Sequence, residues 1–110
     1  MNAIAVCKVS ELLPDAGVCV AVAGLQVAIF YHPNDNAVYA LGNYDPFSKT
    51  NVLSRGLIGD LQGQPVVASP LYKQHFNLET GICLEDGQVA VPTYPVLIRD
   101  NWVYVHIVSI

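Results

Sequence analysis

Apolar and polar residues alternate with a period of two along much of the chain. The clearest runs are residues 18–22, 27–32 and 102–107, which are rich in β-branched and aromatic side chains. Runs of this composition and length predict β-strands. In several of these runs both alternating sets are apolar. We therefore expect strands that are covered on both faces.

Turn signals separate the predicted strands at short intervals. Pairs such as Ala23-Gly24, Gln62-Gly63 and Asp100-Asn101 stand between apolar runs, and small or polar pairs of this kind favour tight turns. Many short strands with regular turns are typical of an all-β sandwich or small barrel. A length of 110 residues suits one domain. We predict a single antiparallel all-β domain over residues 1–110.

Two segments do not follow the strand pattern. They are residues 42–56 and residues 69–75, and each follows an apolar strand and contains a proline, Pro46 or Pro70. Three of the five basic residues of the chain, Lys49, Arg55 and Lys73, lie in these two segments. The sequence therefore predicts two structured loops that carry much of the positive charge.

Composition excludes several classes of function. The chain is 53% hydrophobic and 13% charged, unlike a disordered segment. Its net charge of −4 and the lack of a basic stripe argue against nucleic-acid binding. The apolar runs are too short to span a bilayer, and no signal peptide opens the sequence, so we expect a cytoplasmic protein without membrane contact. Three widely spaced cysteines fit reduced thiols.

The two proline loops resemble those of the Rieske iron–sulfur domain, an all-β fold in which such loops hold a [2Fe–2S] cluster. The first loop corresponds to Asp45-Pro46-Phe47 and the second to Ser69-Pro70-Leu71-Tyr72. The second is followed by Phe76-Asn77 and by a Thr80-Gly81 turn, as in that family. The resemblance covers nearly the whole chain and implies a Rieske-like β-sandwich or small barrel with both loops at one tip.

All four ligand positions depart from the family pattern. Asp45 and Ser69 stand at the cysteine positions, and Phe47 and Tyr72 stand at the histidine positions. A Rieske cluster needs two thiolates and two imidazoles. Phenylalanine has no donor atom, and the oxygen donors of the other three residues are hard ligands. We predict no cofactor, metal ligand or catalytic residue on this chain, and we expect both aromatic rings to fill the space of the cluster.

Three longer stretches resemble one branch of this family, the small subunits of assimilatory NADH-dependent nitrite reductases. They are residues 45–48, 51–56 and 69–76, which read DPFS, NVLSRG and SPLYKQHF. The resemblance implies an accessory subunit without a cluster. It also implies a large-subunit partner that carries siroheme, an iron–sulfur cluster and FAD and reduces nitrite to ammonium with NADH.

The loops supply candidate contacts with that partner. The candidates are basic or apolar side chains in or beside the two loops: Lys49, Arg55, Lys73, His75, Val52 and Leu53, with Leu57 next to them. For the charged residues the alternative is ordinary solvated surface. For the apolar residues it is core packing under the first loop. His75 is a structural or interface residue, or with Tyr72 and Asp45 it forms a single-metal site.

A second class of function remains open from the sequence. The chain could act as a stand-alone Rieske-type redox carrier, or as a metal-binding oxidoreductase domain that uses substitute ligands. Ser69 is a poor candidate nucleophile, because Pro70 removes a backbone donor that an oxyanion hole would need. Iron content and visible colour separate the accessory subunit from the carrier.

Overall fold

The protein, described here by a computed structural model for residues 2–14 and 16–107, consists mainly of antiparallel β-strands. Two short 3-10 helices, Val9–Glu11 and Leu53–Arg55, connect some of them. The strands are β1 (Asn2–Lys8), β2 (Val18–Val22), β3 (Leu25–His32), β4 (Ala37–Gly42), β5 (Tyr44–Asp45), β6 (Thr50–Asn51), β7 (Leu57–Leu61), β8 (Gln64–Ala68), β9 (His75–Asn77), β10 (Thr93–Tyr94), β11 (Val96–Arg99) and β12 (Trp102–Ile107). The predicted all-β class is confirmed. Across the described ranges, no helix has the length and apolar character needed to cross a membrane.

The strands form four small sheets. One has the order β1-β12-β11, and a second has the order β10-β4-β3-β2. The third sheet, β7-β8-β9, and the two-stranded hairpin β5-β6 carry the two proline loops at their ends. Within each sheet, every pair of neighbouring strands is antiparallel.

Strand β3 is buried on both faces. Val27 and Ile29 belong to a hydrophobic cluster shared with β12, and Ala28 and Phe30 belong to a second cluster shared with β8 and β9. These four residues have no exposed surface. Because side chains alternate across a strand, one short segment contributes to two cores. This confirms the expectation of strands covered on both faces.

Tight turns fix the register of the hairpins. The β2–β3 and β7–β8 connections are the two-residue turns Ala23-Gly24 and Gln62-Gly63, with φ of 52° and 81° in the first and 54° and 77° in the second. Positive φ at both central residues is the geometry that matches the twist of an antiparallel pair. The turn predictions at these positions are confirmed.

The backbone at Gly56 passes close to the end of β8, and this approach positions Arg55 and Leu57 beside the second loop. Gly56 follows the 3-10 helix Leu53–Arg55, and a Cβ atom at this position would collide with the carbonyl oxygen of Ala68. Glycine is therefore required where this segment passes the end of β8. The contact brings Arg55 and Leu57 next to the start of the second loop.

A buried histidine connects the β3–β4 turn to β7. His32 is 2% exposed, its Nδ1 lies 2.7 Å from Oδ1 of Asp35, and its Nε2 lies 3.1 Å from Oδ1 of Asp60. The hydroxyl of Tyr39 donates to Oδ2 of Asp35 at 2.6 Å. Two carboxylates on opposite sides of one ring hold the turn against the neighbouring sheet.

These contacts shift the pKa values of Asp35 and Tyr39. The hydrogen bond from Tyr39, assisted by the His32 ring, holds the pKa of Asp35 below its usual range, although partial burial acts in the opposite direction. Burial and the nearby Asp35 carboxylate raise the pKa of the Tyr39 phenol. Because the folded pKa of Asp35 is below the unfolded value, its ionised form stabilises the fold above about pH 4.

We predict that Tyr39→Phe lowers the free energy of unfolding by about 0.5–1.5 kcal/mol at pH 7, because it removes one hydrogen bond. The loss should shrink below about pH 4, where protonation of Asp35 weakens that bond in the parent protein. Urea denaturation at pH 7 and pH 3 measures both values. Tyr31→Phe is the matched control, since the Tyr31 hydroxyl donates to the neutral Oδ1 of Asn36 at 2.9 Å. An equal loss at both pH values for Tyr39→Phe would contradict the electrostatic account.

Candidate functional site

The candidate site consists of two five-residue loops with the same backbone geometry. The first loop is residues 45–49 and the second is residues 69–73, and we refer to them together as the twin loops. In the first, the Lys49 amide donates to the carbonyl of Asp45 at 2.7 Å, and in the second the Lys73 amide donates to the carbonyl of Ser69 at 3.1 Å. Both lysines have positive φ, 58° and 63°. Each loop is thus a closed turn that ends in a left-handed residue.

The first side chain of each loop also stabilises its own turn. Oδ1 of Asp45 accepts a hydrogen bond from the Phe47 amide at 2.9 Å, and Oγ of Ser69 accepts one from the Leu71 amide at 3.4 Å. Such contacts to the backbone two residues on are typical uses of aspartate and serine in turns. The proline that follows each residue fixes φ and needs no hydrogen-bond partner for its nitrogen.

One hydrogen bond joins the twin loops. The Ser69 hydroxyl donates to Oδ2 of Asp45 at 2.5 Å, and the two residues are 1% and 0% exposed. The sequence resemblance predicts that these positions correspond to the two cysteines of a Rieske domain. The two side chains therefore contact each other directly, and each also has a backbone partner within its own loop.

Strand ends set the distance between the loops. Asp45 pairs with Thr50 in the β5-β6 hairpin, which closes the first loop. The Ser69 amide donates to the carbonyl of Gln74 at 2.9 Å, just before β9 begins at His75. Both loops thus project from the ends of short strands, and those of the second loop, β8 and β9, contribute Val67 and Phe76 to the second core.

Asn43 is a site residue that the sequence interpretation missed. It is 2% exposed, and its Oδ1 accepts a hydrogen bond from the Ser54 amide at 2.7 Å. Its Nδ2 donates to Oε1 of Gln26 at 3.1 Å, and its carbonyl accepts from the Leu53 amide at 3.1 Å. Asn43 therefore holds residues 52–56 under the first loop. A polar residue directly after the apolar strand ending at Gly42 was the available signal.

Phe47 and Tyr72, the two aromatic residues predicted at the histidine positions, differ in burial. The ring of Phe47 packs on the core residue Phe76, with centroids 6.1 Å apart. Tyr72, in contrast, is 62% exposed. The prediction that both rings fill the space of a cluster is therefore wrong for Tyr72, because the second loop turns this side chain towards solvent.

His75 has a carboxylate partner outside the loops. Its amide donates to Oε1 of Glu85 at 2.7 Å, and its Nδ1 lies 2.6 Å from Oε2 of the same carboxylate. Burial tends to raise the pKa of Glu85, but these contacts with His75 outweigh it and hold that pKa below its usual range. Asp45 is hydrogen-bonded to Ser69, and His75 contacts Glu85. The single-metal site of His75, Tyr72 and Asp45 that the sequence left open is therefore not formed.

The donor set does not fit a [2Fe–2S] cluster. Such a cluster needs four ligands from the two loops. Phe47 offers no donor, Tyr72 is turned outward, and the oxygens of Asp45 and Ser69 are hydrogen-bonded to each other. Among the residues described, no group of three or more histidine, cysteine, aspartate or glutamate side chains converges as a metal site would require.

The surface around the twin loops is basic and apolar. Lys49, Arg55 and Lys73 are exposed. Large apolar side chains accompany them, with exposed fractions of 48% for Tyr44, 75% for Leu57, 52% for Leu71 and 62% for Tyr72.

Leu53 has no exposed surface and belongs to the second core cluster. As a partner contact it is a wrong prediction, and the alternative of core packing under the loop is correct, because the 3-10 helix turns its side chain inward. Val52 is half-buried. Partner contacts at Val52, Lys49, Arg55, Lys73 and His75 stay predictions.

Comparisons with known proteins agree with this geometry. The family model described as Rieske-like [2Fe-2S] domain matches residues 2–106. The chain is 47% identical over 96 residues to the nitrite reductase (NADH) small subunit of Salmonella typhimurium, covering 87% of this chain and 89% of that protein. It superposes on the crystal structure of a putative NADH-dependent nitrite reductase small subunit from Mycobacterium tuberculosis with a TM-score of 0.93 and 40% identity, covering 99% and 97% of the two chains.

One further relative has a different architecture. The nitrite reductase [NAD(P)H] large subunit of Klebsiella oxytoca is 41% identical over 101 residues. The match covers 92% of this chain but only 10% of that much longer protein. A counterpart of nearly this whole chain is therefore part of a large-subunit polypeptide in that organism.

We predict that Ser69→Ala lowers the free energy of unfolding by about 1.5–3 kcal/mol, because it leaves the buried Asp45 carboxyl without its partner across the loops. Chemical denaturation at pH 7 measures the loss. Ser48→Ala is the matched control in the other loop. Its Oγ is buried and has no hydrogen-bond partner among the described residues, so that change should stay within about 0.5 kcal/mol. Equal stability of the two variants would show that the Asp45–Ser69 bond does not stabilise the fold.

Proposed function

The chain belongs to the nitrite reductase (NADH) small subunits, a branch of the Rieske-like domains, and from this membership we propose that it is an accessory subunit of an enzyme that reduces nitrite to ammonium. In this proposal the chain itself holds no cluster and performs no chemical step. It acts by binding a large subunit. Siroheme, an iron–sulfur cluster, FAD and the NADH site belong to that subunit.

The observation that carries this proposal is the direct hydrogen bond between Asp45 and Ser69. In a Rieske domain the corresponding side chains ligate iron. Here they are a carboxyl and a hydroxyl in contact at 2.5 Å, and the residues at the two histidine positions supply no imidazole. Without soft ligands at these positions, the chain has no evident means of storing an electron.

The Klebsiella oxytoca relative supports a large-subunit partner. In that organism a counterpart of this chain lies within the large-subunit polypeptide, of which it makes up 10%. Covalent linkage keeps two units at high local concentration. A separate small subunit with the same fold would reach the same arrangement through a binding surface.

We further propose that the complex works in the cytoplasm. Cys7, Cys19 and Cys83 are free thiols. Unpaired cysteines are typical of a reducing compartment.

We predict that the purified chain folds without iron and shows no visible absorption bands, before or after anaerobic incubation with iron and sulfide. Affinity purification of the tagged chain from its own cells should recover a large partner with flavin and siroheme absorption. A Rieske ferredoxin treated in the same way is the control for cluster assembly. Stoichiometric iron with a Rieske-type spectrum would overturn the accessory role and favour the redox carrier.

A further inference from the structure

Tyr72 is an unusually placed aromatic residue. It is the fourth residue of the second loop, directly before the left-handed Lys73, and 62% of its surface is exposed. Leu71 beside it is 52% exposed, and Leu57 at the start of β7 is 75% exposed. Leu57 pairs with Ala68 in the β7–β8 register, so these apolar side chains lie at the same end of the molecule. Tyrosine is one of the residue types enriched at binding hot spots.

The two loop lysines occupy a costly backbone conformation. Seven described residues other than glycine have positive φ, and all of them lie in connections between antiparallel neighbouring strands. Five are in the turns after β2, β3, β7 and β11: Ala23, Asn36, Gln62, Asp100 and Asn101. Lys49 and Lys73 are the other two, at the fifth position of each twin loop. Glycine adopts this conformation without steric strain. A lysine at both equivalent positions places an exposed ammonium group at the same point of each loop.

Charge is distributed unevenly between the loops and the rest of the chain. Residues 42–56 and 69–75 contain three basic residues and one acidic residue, Asp45, which is buried. The remaining chain contains two basic and eight acidic residues. Even with the Glu85 carboxylate that lies against His75, the loop end keeps an excess of basic residues, on a protein with a net charge of −4. Such a distribution orients the loop end towards an acidic surface during encounter.

We infer that the exposed face of the twin loops is the surface that binds an acidic face of the large nitrite reductase subunit, with Tyr72 as the buried anchor and Lys49 and Lys73 as the charged rim. This inference rests on the proposed function and adds the surface and its chemistry. Tyr72 enters an apolar pocket of the partner, and the two ammonium groups meet carboxylates around it.

The test measures binding of the purified chain to the purified large subunit of the same organism by surface plasmon resonance. Tyr72→Ala should weaken binding about thirtyfold, the loss expected for a hot-spot residue, while Tyr72→Phe should stay within about threefold. The double variant Lys49→Gly with Lys73→Gly should associate about tenfold more slowly at low salt. This difference should vanish at high salt, where screening removes the electrostatic attraction.

Thermal unfolding separates binding from stability. Because glycine relieves the positive-φ strain, the double lysine variant should melt at the same temperature as the parent or higher while it binds more weakly. Ala23→Gly with Gln62→Gly relieves similar strain in hairpin turns and should bind like the parent. Arg99→Gln removes a positive charge from β11, in another sheet, and should also bind like the parent.

The outcomes distinguish a failure of the proposed accessory role from a failure of the inference about the twin loops. If the parent chain does not bind the large subunit, the proposed function fails. If the parent binds and the Tyr72→Ala and lysine variants bind equally well, the accessory role stands and the inference about the twin loops is overturned. If the double lysine variant binds more weakly but also unfolds at a lower temperature than the parent, the assignment of the lysines as a charged rim is overturned.

Discussion

The hydrogen bond between the Ser69 hydroxyl and the Asp45 carboxyl is the interaction on which the arrangement of the twin loops depends. It is the side-chain link between the two loops, and both residues are almost completely buried. In such an environment a polar contact is strong when it is formed and expensive when it is lost. Since each residue also caps its own turn, this single contact couples the conformation of one loop to that of the other.

The loops themselves are determined locally. An aspartate or serine at the first position, a proline at the second and a left-handed lysine at the fifth produce the same turn twice, at different places in the chain. Asn43 and Gly56 fix the position of residues 52–56, which support the first loop.

The sequence was sufficient for the architecture but only partly for the site. Alternation of apolar residues and the Ala23-Gly24 and Gln62-Gly63 turns predicted the strands and hairpins, because period and turn chemistry act over a few residues. The direction of a loop side chain depends on tertiary contacts instead. For this reason Phe47 packs inward as expected while Tyr72 points outward, and Leu53, which suits either core or surface in the sequence, proves to be core.

Strand β3 has a consequence for how the molecule loses its structure. Its successive residues Val27, Ala28, Ile29 and Phe30 belong alternately to the two hydrophobic clusters. Neither cluster can open without displacing the backbone that the other requires. Partial melting that spares one cluster is therefore disfavoured, and the loop end shares the cooperativity of the β1-β12-β11 sheet.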